Sequence, residues 1–98
     1  MYRMTQSENK KITIDIATTR LFSVHAYLVE GEASIKVSQS NFNKPDRFEA
    51  IQTIQLLTTS DSARNAIVSV KDAPCKYFQV ELVDPDEDCL IEVEILFK

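Results

Sequence analysis

Apolar and polar side chains alternate along most of the chain, and this period of two predicts β-strands. In residues 11–16 the three isoleucines occupy every second position, which is typical of a strand with one buried face. Residues 22–29 and 33–38 alternate in the same way. The side chains predicted to point inward from these three strands are Ile12, Ile14, Ile16, Phe22, Val24, Ala26, Leu28, Ala33, Ile35 and Val37.

A tight turn between the second and third of these strands predicts a β-hairpin. A two-residue loop at Glu30-Gly31 pairs Leu28 with Ala33, and the same register pairs apolar with apolar residues along both strands. A register shifted by one residue would set apolar side chains opposite polar ones. We therefore expect the hairpin, with Gly31 in the positive φ conformation that its turn requires.

The end of the chain predicts a second hairpin around an acidic turn. Residues 84–88, with the sequence DPDED, separate two strands that alternate clearly. Their pairing sets Val80 opposite Ile91 and Phe78 opposite Val93. The side chains expected on the buried face of this hairpin are Phe78, Val80, Ile91, Val93, Ile95 and Phe97.

The middle of the chain predicts two shorter strands and a long loop. Residues 40–49 are rich in turn formers and include a proline, so they predict the loop. Residues 51–57 predict a strand, residues 58–65 a polar connection and residues 66–70 a further strand. Phe48, Ile51 and Ile54 have helical spacing, so a helix is the alternative for this stretch, but no segment makes a convincing amphipathic helix.

Seven to eight short strands without an amphipathic helix predict an all-β fold, an antiparallel two-sheet β-sandwich or jelly roll. We expect residues 11–98 to form this single domain. Residues 1–10 are mostly polar and predict a flexible N-terminal arm. With 98 residues, of which 44% are hydrophobic, the chain can bury one core without disulfides or metals.

Charge and hydropathy narrow the classes of function. The chain has 11 basic and 15 acidic side chains, a net charge of −4, which disfavours binding to nucleic acid. No apolar run approaches the roughly 20 residues needed to cross a bilayer, and the start of the chain lacks the apolar stretch of a secretory signal. We expect a soluble protein made in a cytoplasm, with neither nucleic-acid nor membrane partners.

The candidate chemical groups predict no catalytic site. His25 is the only histidine, and the predicted hairpin sets it opposite Lys36 on a polar face, where an inert or structural role is the simpler interpretation. Cys75 and Cys89 are expected to be reduced thiols, because two cysteines alone make a weak case for zinc. The acidic turn is expected to be solvated, with weak cation binding as the alternative. We predict no enzyme activity, cofactor or metal.

Exposed aromatic and charged side chains are the candidates for an interface. The three tyrosines lie outside the predicted core faces, and tyrosine is enriched where proteins meet each other or stack on sugars. Glutamates on the reverse face of the last hairpin would be solvated or meet a partner. Residues 1–10 and 40–49 are the expected docking segments. The candidate interface residues are Tyr2, Arg3, Tyr27, Phe42, Lys44, Arg47, Tyr77, Glu92 and Glu94.

The order of segments from residue 31 to residue 98 resembles small β-sandwich virion proteins of tailed bacteriophages, such as capsid decoration proteins and head-to-tail or tail adaptors. The pieces that carry the resemblance are ASIKVSQSN at residues 33–41 followed by Phe48, DAPCKYFQV at residues 72–80, and a last strand ending in lysine. The chain departs from these proteins at Gln79, where a basic residue is common, and in having almost no glycine.

The resemblance implies a non-enzymatic structural or assembly protein that acts through protein–protein contacts. Its partners would be other virion proteins and further copies of itself, in a homo-oligomer such as a trimer. It would reside in the virion after synthesis in the host cytoplasm, and would otherwise be cytoplasmic. The alternative is a β-sandwich module that binds carbohydrate or another ligand.

Overall fold

Two four-stranded antiparallel sheets pack face to face in the computed structural model, which describes residues 1–15, 21–71 and 75–97. One sheet has the strand order β1-β8-β3-β6 and the other the order β2-β7-β4-β5. This architecture confirms the predicted all-β, two-sheet β-sandwich. The strands are β1 (Tyr2–Thr5), β2 (Lys11–Asp15), β3 (Leu21–Glu30), β4 (Ala33–Ser40), β5 (Glu49–Leu56), β6 (Asn65–Lys71), β7 (Tyr77–Val83) and β8 (Leu90–Phe97).

The strand pairing has the connectivity of a jelly roll. β1 pairs with β8, β2 with β7, β3 with β6 and β4 with β5, so the first strand meets the last and each later strand meets the next one inward. This pairing corresponds to one long antiparallel ribbon that is wrapped around a core. The β3–β8 and β4–β7 ladders then join the wrapped ribbon into two sheets.

The core lies between the inner faces of the two sheets. The side chains predicted to point inward from β3 and β4 are buried, with at most 5% of each exposed. The ring of Phe22 on β3 packs against the ring of Phe78 on β7, with 4.5 Å between centroids and 32° between planes. This aromatic pair bridges the two sheets, and Met4 and Leu56 are also fully buried.

The predicted hairpin between β3 and β4 is wrong. β3 pairs with β6 and β8, while β4 pairs with β5 and β7, so the chain crosses from one sheet to the other at Gly31. Leu28 and Ala33 are both buried, as predicted, but they belong to different sheets. The alternating pattern identifies the buried side of each strand, and a turn that changes sheet leaves that pattern unaltered.

The predicted pairing of the last two strands is wrong for the same reason. Val80 on β7 lies opposite Ile12 and Val37, and Ile91 on β8 lies opposite Met4 and Leu28. The acidic turn therefore also crosses between the sheets. Val80 and Ile91 still contribute to the same core, because they extend into it from opposite sides.

The two sheet-crossing turns are bonded to each other. Gly31 has a φ angle of +77°, which confirms the expected positive φ. The backbone N–H of Glu32 donates to Oδ2 of Asp86 at 3.0 Å, and the N–H of Asp86 donates to the carbonyl oxygen of Glu32 at 3.1 Å. The N–H of Cys89 donates to the carbonyl of Asp86 at 3.3 Å. Asp86 therefore orders both turns.

The N-terminal residues differ from the predicted flexible arm. Residues 2–5 form β1, an edge strand paired with β8, and the Met4 side chain is fully buried. Oγ1 of Thr5 accepts hydrogen bonds from the N–H groups of Ser7 and Glu8, which orders the following turn. A single buried methionine in a polar stretch carries no periodicity, so the pattern did not reveal this strand.

The remaining elements fall close to their predicted positions. The predicted loop at residues 40–49 contains a 3-10 turn at Pro45–Arg47, and the following strand begins at Glu49 rather than residue 51. The polar connection contains a one-turn helix, α1 (Asp61–Arg64), whose N-cap Ser60 accepts from the N–H of Ala63. The predictions for the side chains of Ile16 and Phe97 and for residues 72–74 lie outside what the structure describes.

Substitution of Gly31 by alanine is expected to destabilise the fold by about 2–4 kcal/mol, because the left-handed backbone is strained for any other residue and the added methyl group overpacks the turn. A Cβ atom at this position would lie 2.8 Å from the Cα and N atoms of Cys89 and would clash with Oδ1 of Asp86. Urea unfolding of the purified variant measures the loss. Glu32→Ala is the control, since it keeps the backbone bonds of Glu32 and should change stability by less than about 0.5 kcal/mol.

Candidate functional site

The outer face of the β1-β8-β3-β6 sheet brings together histidine, tyrosine, carboxylates and exposed apolar side chains. Alternation along β3 buries Phe22, Val24 and Ala26 and therefore directs the residues between them outward. We call this surface the His25 face. Its residues are Ser23, His25 and Tyr27 on β3, Glu92, Glu94 and Leu96 on β8, Asn65, Ile67 and Ser69 on β6, and Arg3 on β1.

The strand register arranges the His25 face in three rows across the sheet. In the central row His25 lies between Ile67 and Glu94. The other rows are Asn65, Tyr27, Glu92 and Arg3 on one side, and Ser69, Ser23 and Leu96 on the other. The predicted position of His25 opposite Lys36 is therefore wrong, because Lys36 lies in the other sheet.

A chain of hydrogen bonds orients the imidazole of His25. The Nδ2 group of Asn65 donates to the carbonyl oxygen of Asp61 at 2.6 Å, so Oδ1 of Asn65 points the other way. This Oδ1 lies 2.8 Å from Nε2 of His25. Since an amide oxygen only accepts, the Nε2–H group of His25 is the donor in this bond.

Two large apolar side chains of the His25 face are exposed to solvent. Ile67 is 61% exposed and Leu96 is 49% exposed. Tyr27 is half-buried on β3, in the row next to that of His25. Ile67 on β6 and Leu96 on β8 lie on either side of β3. Exposed apolar side chains beside polar groups are found on surfaces that bind other proteins.

The carboxylates of the His25 face have weak cationic partners. Nε of Arg3 lies 3.9 Å from Glu92, and the amino group of Met1 lies 3.9 Å from Glu94. These pairs are largely exposed, and such ion pairs add little to stability. Both carboxylates are therefore available to accept hydrogen bonds from an incoming group.

Two open concavities indent the His25 face. One has a volume of about 330 Å³ and is bordered by Ile67 and Leu96. The other has a volume of about 220 Å³ and is bordered by Tyr27, Asn65 and Glu92. His25 and Glu94 border both, so they lie at the centre of the surface.

Along β2 and β7, the outer face of the other sheet carries polar side chains that pair with each other. Nζ of Lys11 lies 3.2 Å from the carboxylate of Glu81, and Nε2 of Gln79 donates to Oγ1 of Thr13 at 3.2 Å. These side chains satisfy one another across β2 and β7. The His25 face is therefore the more suitable of the two sheet faces for binding a partner.

A separate basic and aromatic patch lies on the β4–β5 loop. The guanidinium carbon of Arg47 is 5.1 Å from the ring centre of Phe42, which is 56% exposed. Beside this loop, Nζ of Lys76 is 5.2 Å from the ring centre of Tyr77. The N–H of Lys76 donates to Oδ1 of Asn41 at 3.1 Å, so the start of β7 is attached to the loop.

The structure separates the nine predicted interface residues into groups. Four of them, Arg3, Tyr27, Glu92 and Glu94, lie together on the His25 face. A second group lies on or beside the β4–β5 loop and consists of Phe42, Lys44, Arg47 and Tyr77. The remaining residue, Tyr2, is 42% exposed on β1. Their role in an interface stays a prediction.

Sequence reasoning missed Asn65 and Ile67 as members of the His25 face. In the segment AIVSV every residue but one is apolar, so its outward side was not evident. The buried Ala66 and Val68 indicate that the residue between them points outward. That inference needs the strand assignment first.

The two cysteines are free thiols in different environments. Cys75 is half-buried, and Cys89 is buried beside the sheet-crossing turns. Burial raises the pKa of the Cys89 thiol above its ordinary value of 9.0, and the nearby charge of Asp86 raises the pKa further. Because reactivity follows the thiolate, Cys89 is a poor nucleophile at neutral pH.

The acidic turn acts in the fold through Asp86. Its carboxylate accepts the N–H of Glu32, as described above. Within residues 1–15, 21–71 and 75–97, no three histidine, cysteine, aspartate or glutamate side chains are placed to hold a metal ion together. In the same part of the chain, no helix has the length and apolar composition required to cross a bilayer.

A scan against models of known protein families and a search of curated protein sequences find no match to the chain. The function of the protein must therefore be inferred from its fold and surfaces.

The raised pKa of Cys89 predicts a loss of stability at alkaline pH. Since the thiol ionises more readily in the unfolded chain than in the folded one, its contribution is complete below pH 9 and is lost as the pH rises above that value. Urea unfolding of wild type and Cys89→Ala between pH 7 and pH 10 tests this. The free energy of unfolding should depend on pH differently in the two proteins only at alkaline pH. Cys75→Ala should keep the wild-type slope, and equal slopes for wild type and Cys89→Ala would contradict the prediction.

Proposed function

We propose that this protein is a non-enzymatic structural or assembly protein that acts through protein–protein contacts. The specific role that we propose is that of a bacteriophage virion component, either a capsid decoration protein or a head-to-tail or tail adaptor. In this role the rigid sandwich presents surfaces to neighbouring proteins, and the His25 face is the principal contact.

The observation that carries the proposal is the exposure of Ile67 and Leu96 on the His25 face. Removing these apolar side chains from water is favourable, by about 25 cal/mol per Å² of apolar surface buried. Glu94, next to Leu96 on the outer side of β8, and Glu92 in the next row supply hydrogen-bond acceptors on the same face. A protein partner that presents apolar side chains opposite Ile67 and Leu96 and basic groups opposite the two carboxylates complements this arrangement.

The jelly-roll connectivity is compatible with the same proposal. Viral capsid domains use this architecture, and lectins and cupins use it too. The fold alone therefore favours no single function among these classes. The exposed apolar side chains on a sheet face, rather than a deep cavity, favour the assembly role.

A second contact would allow the protein to connect two neighbours. The patch formed by Phe42, Arg47, Lys76 and Tyr77 carries positive charge and exposed aromatic surface. It lies on the β4–β5 loop and the start of β7, whereas the His25 face lies on the other sheet. An adaptor needs two such separate surfaces, one for each neighbour.

Photo-crosslinking from the His25 face tests the proposed function. A photoreactive amino acid replaces Leu96 in one variant and Lys36 in a control, since Lys36 lies on the outer face of the other sheet. The variants are produced in the native host during particle assembly, and the crosslinked proteins are identified by mass spectrometry. We expect Leu96, and not Lys36, to crosslink to capsid, portal or tail proteins. Absence of the protein from particles, or identical adducts at both positions, would contradict the proposal.

Carbohydrate binding is the second candidate, and the concavity of about 220 Å³ favours it. Tyr27 offers an aromatic surface there, while Asn65, Glu92 and His25 offer hydrogen-bonding groups. Aromatic stacking combined with such groups is how many proteins bind sugars. If this function holds, a glycan array identifies a ligand, and Tyr27→Ala weakens its binding at least about ten-fold, whereas Tyr77→Ala leaves it unchanged. An array without specific binding removes this candidate.

A further inference from the structure

The outer edge of β5 is an open strand edge. β5 pairs with β4 on one side, and no other strand in the described part of the chain pairs with its second side. An open edge presents a row of backbone N–H and C=O groups that can pair with another strand. β5 has eight residues, whereas the other three edge strands, β1, β2 and β6, have four, five and seven.

β5 lacks the charged side chains that usually protect an open edge. Apart from Glu49 at its start, the strand and its continuation through residue 60 contain no charged residue. On the opposite side of the sandwich, β1 carries Arg3 and β2 begins with Lys11. Natural edge strands avoid unwanted pairing through such charges, prolines or bulges.

One bulge interrupts the β4–β5 ladder, but it leaves most of the edge regular. The register shifts between Val37 and Ser38, opposite Ile51. From Gln52 to Leu56 the five residues pair with β4 without a shift. Ile51 is 37% exposed beside the bulge. A regular, uncharged edge of five residues is therefore available for pairing.

We propose that β5 is a self-association edge, at which two copies of this chain join by antiparallel β5–β5 pairing about a two-fold axis. The two β2-β7-β4-β5 sheets then become one continuous eight-stranded sheet. Both open β5 edges are satisfied in this dimer, and the interface is closed, so it does not propagate into a filament.

The sequence of β5 is compatible with pairing to its own copy. A two-fold axis at Ile54 places this residue opposite itself on the inner side of the sheet. Thr53 then lies opposite Gln55 on the outer side, where an uncharged hydroxyl and amide can form a hydrogen bond. Gln52 lies opposite Leu56. No like charges lie opposite each other in this register. Edge strands with charged side chains would place like charges together and so oppose such pairing.

The distribution of charge favours a second copy of this chain as the partner of the β5 edge. The protein has a net charge of −4, so an interface between two copies must avoid charged surface. β5 after Glu49 and β6 before Lys71 contain no charged side chain, and these two edge strands lie on the same side of the sandwich, where the one-turn helix α1 carries one acidic and one basic residue, Asp61 and Arg64. The opposite side carries the ion pairs of Arg3 and Lys11. Self-association is therefore least opposed by charge along β5.

This inference deepens the proposed assembly function by naming one partner, and it uses a surface separate from the His25 face. The decisive measurement is sedimentation equilibrium of the purified protein with Thr53→Glu and Thr53→Lys as variants. Thr53 is exposed, and its neighbour in β4 is Lys36, so the glutamate variant keeps an attractive pair in the monomer. In Thr53→Lys the new lysine lies opposite Lys36, so that variant has no attractive pair. If Thr53→Lys fails to fold, Thr53→Glu alone tests the inference.

The expected result is a wild-type species of twice the 11.2 kDa chain mass, or a larger oligomer built from that dimer. Both variants should raise the dimer dissociation constant at least about ten-fold, because each places two charges at the two-fold edge. The substitutions have opposite effects on net charge, so a general charge effect would move the two variants in opposite directions. Gln6→Glu and Gln6→Lys, in an exposed turn, are the matched controls and should leave association unchanged.

Amide hydrogen exchange locates the interface directly. Protection of residues 52–56 should increase with protein concentration, while protection of β2, the opposite edge strand of the same sheet, should not. A wild-type chain that stays monomeric at its highest soluble concentration overturns the inference, as does an oligomer that neither Thr53 variant weakens. In both cases crosslinking of Leu96 to virion proteins would leave the proposed function intact. A β5 dimer without such crosslinks would instead overturn the proposed function alone.

Discussion

The packing of the two inner sheet faces on each other is the constraint on which the structure depends. Phe22 and Phe78 meet in the middle of this layer, and an aromatic pair of this kind contributes about 1 kcal/mol beyond the burial of its surface. The inward side chains of all eight strands belong to the same layer or border it. Each strand therefore has one side committed to the core, and only the outer faces and open edges remain for function.

The wrapped connectivity determines which residues share an outer face. Since β3 lies between β6 and β8, the side chains of His25 and Tyr27 are brought beside Ile67, Glu92 and Glu94, which are distant in the sequence. None of these residues forms a local motif. The His25 face is therefore a product of the strand order, and its combination of exposed apolar and acidic groups is the basis of the proposed assembly role.

The open edges of the sandwich differ in the charge of their side chains. β1 is connected to the His25 face through the pair between Arg3 and Glu92, whereas β5 has an uncharged edge. A protein with one binding face and one self-pairing edge can hold a neighbour and a second copy of itself at the same time. That combination suits a component of a symmetric assembly.

The sequence by itself determined the class of fold and the side of each strand that is buried. A period of two is a local property, so it identified the inward side chains of β3 and β4, of Phe78 and Val80 on β7, and of Ile91 and Val93 on β8 before any neighbour was known. Only the tertiary structure decided which strands pair. A turn such as Glu30-Gly31 has the same local signal whether it joins two strands of one sheet or crosses between two sheets. The choice depends on how the whole ribbon covers its core, and the neighbours of His25 follow from that choice.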